Sequence, residues 1–200
     1  MPKQTFFNLP EAKRHTLMRA AEEEFSRAPL YEASIANIVK TAGIPRGSFY
    51  QYFADKEDAF FYLLDHLSHN RKTIFIELLK QHNGDLIEAV KGFFQLVITE
   101  DDNPDFVRNA LLNMTYQIED VIARIFCDQT NQEEFREISS LVDKTKLNIG
   151  DEKDIFHIIQ ILASVLVRNL VDTFARNLSY QTATDHLTVE MNLLKSGVYR

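Results

Sequence analysis

Ser34-Ile35-Ala36-Asn37-Ile38-Val39-Lys40-Thr41-Ala42-Gly43-Ile44-Pro45-Arg46-Gly47-Ser48-Phe49-Tyr50-Gln51-Tyr52-Phe53-Ala54-Asp55-Lys56 is the stretch on which the reading of this chain turns. Ser34 is a helix-capping residue type, and Ile35, Ile38, Val39 and Ala42 follow at helical spacing, so a short helix with one buried face opens here. Gly43 permits a tight turn, and Pro45 pre-sets the backbone for the first turn of another short helix over residues 46–53. Two short helices meeting at a glycine turn have the layout of a helix-turn-helix, whose second helix enters the major groove of DNA. Phe49 and Phe53, at i and i+4, face inward. Arg46, Ser48, Gln51 and Tyr52 are left toward a groove about 12 Å wide or its walls. Gly47 has no side chain, so the helix can approach the DNA closely.

Outward from this stretch the chain reads as successive capped helices without internal repeats. Asn8-Leu9-Pro10-Glu11 carries an Asn cap, a first-turn proline and a carboxylate three residues on. Leu17, Ala20, Ala21, Phe25 and Ala28 then give one buried stripe, and Pro29 ends that helix. Asp55 caps a long helix over residues 55–82, closed by Asn83-Gly84, and Asp85-Leu86-Ile87-Glu88 opens the next. Helices are further expected over 106–126, with a break near Tyr116, and over 132–147, 155–178 and 182–197. The expectation is an all-α chain of about nine helices without a sheet.

The run from Ser34 through Asp58 resembles the DNA-binding region of TetR/AcrR-type transcriptional regulators. The resemblance covers roughly 50 residues, and rests on the small-residue-Gly-apolar turn, Arg46-Gly47-Ser48-Phe49-Tyr50, an aromatic pair ending in Phe53, and Lys56-Glu57. It implies an N-terminal three-helix helix-turn-helix domain over residues 1–54. A larger C-terminal helical domain over 55–200 would bind ligand and dimerise, with the helix at 55–82 connecting the two. It also implies that Arg46, Gly47, Ser48 and Gln51 touch bases or backbone, while Ser34, Tyr50, Tyr52 and Lys56 reach phosphates. Arg46 is the best candidate for reading guanine, since phosphate contacts position and base contacts specify. Two positions depart from the family pattern. Pro45 stands where Ser is frequent, removing a side-chain cap, and Tyr52 stands where His is frequent, so base preference does not carry over.

In such regulators the last two helices form the dimer interface. Ile158, Leu162, Val165 and Leu166, with Leu187, Met191 and Leu194 of the final helix, are the expected interface residues of a homodimer. Phe93, Phe94, Val97, Met114, Tyr116 and Gln117 combine apolar walls with polar groups, the make-up of a pocket for an apolar or amphipathic small-molecule effector. The implied mechanism is a repressor: two heads about 34 Å apart bind a palindromic operator in double-stranded DNA, and the effector tilts the long helix to shift their spacing.

The net charge of −7 does not argue against DNA binding. Residues 1–60 hold eight Lys/Arg and eight Asp/Glu, so the whole excess lies in the remainder. A neutral head binds DNA if its cations line one face. His66 and His69, beside Asp65, lack a third ligand in register, so no metal site and no cofactor are expected. Cys127, the single cysteine, reads as a buried apolar residue, and its isolation fits a reducing cytoplasm. Neither a signal peptide near Met1 to Pro10 nor a membrane span is expected. No Gly-flanked Ser nucleophile, His-Glu-x-x-His, phosphate loop or dinucleotide fingerprint occurs, which argues against a helical enzyme. A DNA-binding protein controlled by a protein partner, without an inducer, stays open beside the ligand-responsive reading.

Overall fold

The computed structural model describes residues 1–99, 104–126 and 131–198. Cys127 and the expected loop at 100–103 lie outside the described residues. Eleven α-helices occur among the described residues, with no strand: α1 (Gln4–Phe7), α2 (Glu11–Arg27), α3 (Ile35–Ala42), α4 (Arg46–Tyr52), α5 (Lys56–Gln81), α6 (Leu86–Thr99), α7 (Pro104–Leu112), α8 (Tyr116–Ala123), α9 (Gln132–Leu141), α10 (Asp154–Arg176) and α11 (Tyr180–Val198). A short 3-10 turn, Lys144–Lys146, follows α9, so the helix expected to reach 147 stops earlier.

Nine became eleven for two reasons. The segment before Pro10 forms α1, and Asn8 terminates that helix instead of capping α2, whose N-cap is Pro10 with no side-chain cap bond. The expected break near Tyr116 separates α7 from α8. Asn113 turns its side-chain amide back to Asn109 O (2.9 Å), and the Thr115 hydroxyl accepts from Ile118 N (3.4 Å), ending one helix and starting the next.

The chain divides into two compact units: Met1–Leu67 with Asn103–Ile118, and Ser68–Asp102 with Glu119–Arg200. The first is larger than the 1–54 head, and its core explains why. Phe25 of α2 and Phe60 of α5 meet edge to face at 5.2 Å, and Phe106 of α7 completes the group at 5.4 Å from Phe60. Without α5's first turns and α7, Phe25 would lose these neighbours and part of its burial. Asn109 Nδ2 also donates to Phe25 O and Ser26 O (2.9 and 2.8 Å), carbonyls that α2's own ladder leaves unmatched at its end.

In the second unit α6, α10 and α11 pack on one another. Ile155, Ile159, Leu162 and Leu166 of α10 are buried together with Leu187 and Met191 of α11. By length and composition α10 could cross a membrane. Its buried apolar stripe and its exposed Gln160, Ser164 and Arg168 give it the two faces of a core helix.

Candidate DNA interface

Gly43 ends α3 at φ +67°, in the left-handed region, and Ile44 N closes the turn on Val39 O at 3.0 Å. The chain leaves this turn through Pro45, which starts α4 without any side-chain cap. Phe49 and Phe53 are completely buried, at ring distances of 5.4 Å from each other and, for Phe53, 5.0 Å from Phe6. With that face fixed inward, Arg46, Gly47, Tyr50 and Gln51 are exposed, and Ser48 and Tyr52 half-buried. The seven residues of α4 therefore present one polar face.

Ser34 occupies the N-cap position of α3, but its hydroxyl makes no cap bond. The start of α3 is held from another helix. Glu24 of α2, only 5% exposed, accepts from Ser34 N at 2.7 Å, from Asn37 Nδ2 at 3.1 Å and from Arg27 at 2.7 and 2.9 Å. These donors, the Arg27 guanidinium foremost, hold the carboxyl at a pKa of about 2. Lys56 was expected to face a phosphate. Its ammonium instead donates to Tyr31 O (2.9 Å) and Ala33 O (3.1 Å), clamping the loop before α3, and an ammonium has three donors in all.

Residues 3–7 carried no expectation from sequence, yet they complete α4. Lys3 N donates to Tyr52 O and Lys3 Nζ to Tyr50 O, each at 2.8 Å, and the Thr5 hydroxyl donates to Gln51 O. Phe53 N takes Phe49 O at 2.9 Å. All four terminal carbonyls of α4 are thus satisfied. The sequence signal was faint: Phe6-Phe7 before a proline, which points to a buried anchor but not to its target.

The structure buries several of the expected interface residues and exposes some of the expected pocket residues. Leu162, Leu166, Leu187 and Met191 are at most 1% exposed and Ile158 is 8% exposed within the single chain, where α6, α10 and α11 pack on one another. A surface for a second copy cannot be built from them. Val165 and Leu194 are half-buried. The apolar side chains that do face outward are Ile161 on α10, and Val189 and Leu193 one turn apart on α11.

Of the expected pocket residues, Phe93, Phe94 and Val97 lie in the core of the second unit, where Phe93 packs edge to face on Phe75 and Phe126. Met114, Tyr116 and Gln117 belong to the first unit. Tyr116 is 81% exposed and Gln117 is exposed, since α8 buries Ile118 and Val121 instead. His66 and His69 are exposed on α5, and no group of three metal-ligating side chains occurs among the described residues.

The HTH-type transcriptional regulator YdgC of Bacillus subtilis is 39% identical over 71 residues, 36% of this chain and 36% of that protein. HbdR of an Aromatoleum species is 39% identical over 56 residues, 28% of this chain and 24% of that protein. These alignments span about a third or less of either relative. Among solved structures, SmeT, repressor of the Stenotrophomonas maltophilia multidrug efflux pump SmeDEF, superposes with a TM-score of 0.69 at 13% identity, over 95% of this chain and 92% of that one. FadR of Bacillus subtilis, in complex with stearoyl-CoA, gives 0.62 at 16% identity, over 92% and 98%. At such identities these two show the fold alone. Residues 17–63 match the profile of bacterial regulatory proteins of the tetR family, and residues 85–198 that of the tetracyclin repressor-like C-terminal domain. The chain belongs to the TetR family, whose regulators are DNA-binding transcription factors and not enzymes.

Proposed function

We propose that this regulator is a cytoplasmic homodimeric repressor that reads a palindromic operator with α4 and releases it when a small apolar or amphipathic effector binds. The observation that carries the reading is the polar face of α4, exposed while both its phenylalanines are buried. On it Arg46 would read guanine bidentately, with Gln51 beside it. Tyr50, Tyr52, Ser48 and Ser34 would fix register on phosphates, joined by the third donor of Lys56. A palindrome needs two readers, and Ile161, Val189 and Leu193 offer an apolar surface for a second copy. An amphipathic effector is in keeping with the neighbours of similar fold, of which one represses an efflux pump and another holds stearoyl-CoA. Such an effector acts only through unequal affinity for the DNA-bound and released states.

Gly47 gives the sharpest test. A Cβ there would meet nothing within 4 Å, so the fold does not require glycine at this exposed helical position. Gly47→Ala is expected to leave the protein as stable or more stable, by up to about 1 kcal/mol. Its affinity for an operator selected from random duplexes should nevertheless fall, because the methyl occupies space reserved for DNA. Arg46→Ala should lose about ten- to hundredfold on that operator and far less on random DNA. Fluorescence anisotropy beside thermal melts checks both, and unchanged operator binding in the two variants would refute this assignment of α4.

Leu193→Asp tests the dimer. A carboxylate in a buried apolar interface lacks a partner, so the variant should sediment as a monomer where the wild type is a dimer. Equal sedimentation of the two would move the interface elsewhere.

A further inference from the structure

A helix of seven residues is not stable by itself, since nucleation is costly and short helices are marginal in water. α4 also begins at Pro45 without a side-chain cap and ends without a glycine, so its orientation must come from outside. Its inward side is held by Phe49 and Phe53. Its outward end is held by residues 3–7, through Lys3 N on Tyr52 O, Lys3 Nζ on Tyr50 O and the Thr5 hydroxyl on Gln51 O. Phe6 anchors this segment, completely buried between Phe53 and Tyr62 at 5.0 and 5.2 Å.

We propose that residues 3–7 form a strap that sets the tilt of α4, with Lys3 and Thr5 as positioning residues for base readout; this rests on the DNA-reading role given above. Tyr50, Gln51 and Tyr52 each carry a side chain on the reading end of α4 and a carbonyl tied to the strap. Base-edge hydrogen bonds tolerate misplacement of only about half an ångström. Attraction to phosphates is long-ranged and forgiving. Loosening the strap therefore costs discrimination between sequences before it costs general affinity.

Thr5→Val removes the hydroxyl at constant shape and charge, so it cannot alter counterion release. Operator affinity should fall about five- to tenfold, as expected for the loss of one net hydrogen bond that orients α4. Affinity for random duplex and the salt slope should not change. Lys3→Met should behave alike on the operator, and Lys3→Arg, which keeps a donor, should restore it. Hydrogen exchange without DNA is the independent measurement: amides of residues 50–53 should exchange faster in Thr5→Val, while those of α2 and α3 keep their rates. Parallel losses on operator and random DNA would reduce the segment to a general stabiliser and overturn the proposal, as would unchanged exchange at residues 50–53. Failure of the wild type to bind any selected duplex would sink the regulator reading instead. Exchange would then still decide whether the strap holds α4.

Discussion

Gly84→Ala is expected to cost the second unit at least about 4 kcal/mol, lowering the melting temperature by roughly 10 °C or more. Two faults coincide at this residue. Its φ of +76° lies in the left-handed region, where a side chain is strained. A Cβ would also stand 2.4 Å from Leu141 O and 2.5 Å from Asp143 N, both main-chain atoms that no rotamer change can clear. The turn between α5 and α6 is pressed against the end of α9, and Asp143 N donates to Gly84 O at 3.0 Å. Relief means separating those backbones and giving up that bond. Asp85, next in the chain, accepts from Glu88 N at the start of α6 and from Lys146 Nζ at 3.4 Å, so the disturbance would spread to both. Thermal melts followed by circular dichroism provide the check. A loss below 1 kcal/mol would mean that the end of α9 yields freely, contrary to the close packing described.

The second large effect is at Glu24. In Glu24→Gln a neutral amide replaces a carboxylate that accepts from Arg27, Asn37 and Ser34 N, and its NH2 must face one of those donors. The expected loss is about 3 kcal/mol at neutral pH, the size of a depression from 4.5 to about 2. Because the folded pKa is lowered, this stabilisation is complete above pH 4.5 and disappears as pH falls toward 2. The gap between wild type and variant, measured by urea unfolding, should therefore be constant from neutral pH to about 5 and narrow below it. A gap that did not change down to pH 3 would assign the loss to shape and not to charge. Operator binding should weaken with stability, since Glu24 holds the start of α3, against which α4 packs.

The helix-turn-helix was legible because its instructions are local. Gly43, Pro45 and the Phe49/Phe53 spacing each act within a few residues, and the structure uses all of them. Three features of the same site were not legible because their partners are distant in sequence. Glu24, ten residues before Ser34, replaces the hydroxyl cap that the sequence suggests. Lys56 turns back to residues 31 and 33, and Lys3 and Thr5 reach α4 from almost fifty residues away. Five of the seven residues expected at an interface on α10 and α11 are buried within the chain, for a different reason. Periodicity shows that a helix has a broad apolar surface, but not which part meets its own chain. The wider stripe, through Leu162 and Leu166, is filled by the chain itself, leaving Ile161, Val189 and Leu193 outside. Tyr116 and Gln117 show the same ambiguity on a short helix, where a shift of one or two positions exchanges buried for exposed.

Asn109 and Phe106 have a consequence for the order of events as the chain is made. Sequence order alone would let the head, with α4 near residue 50, fold as soon as α5 leaves the ribosome. Its core, however, borrows Phe106, and the end of α2 borrows the Asn109 amide. At translation speeds of roughly 5 to 20 residues per second, the 50 residues between Lys56 and Phe106 take about 3 to 10 seconds to arrive. During that interval Phe25 and Phe60 lack their third ring, and α4 has no finished base. The head thus reaches its native packing only after α6 of the other unit has been made, while α9, α10 and α11 are still to come.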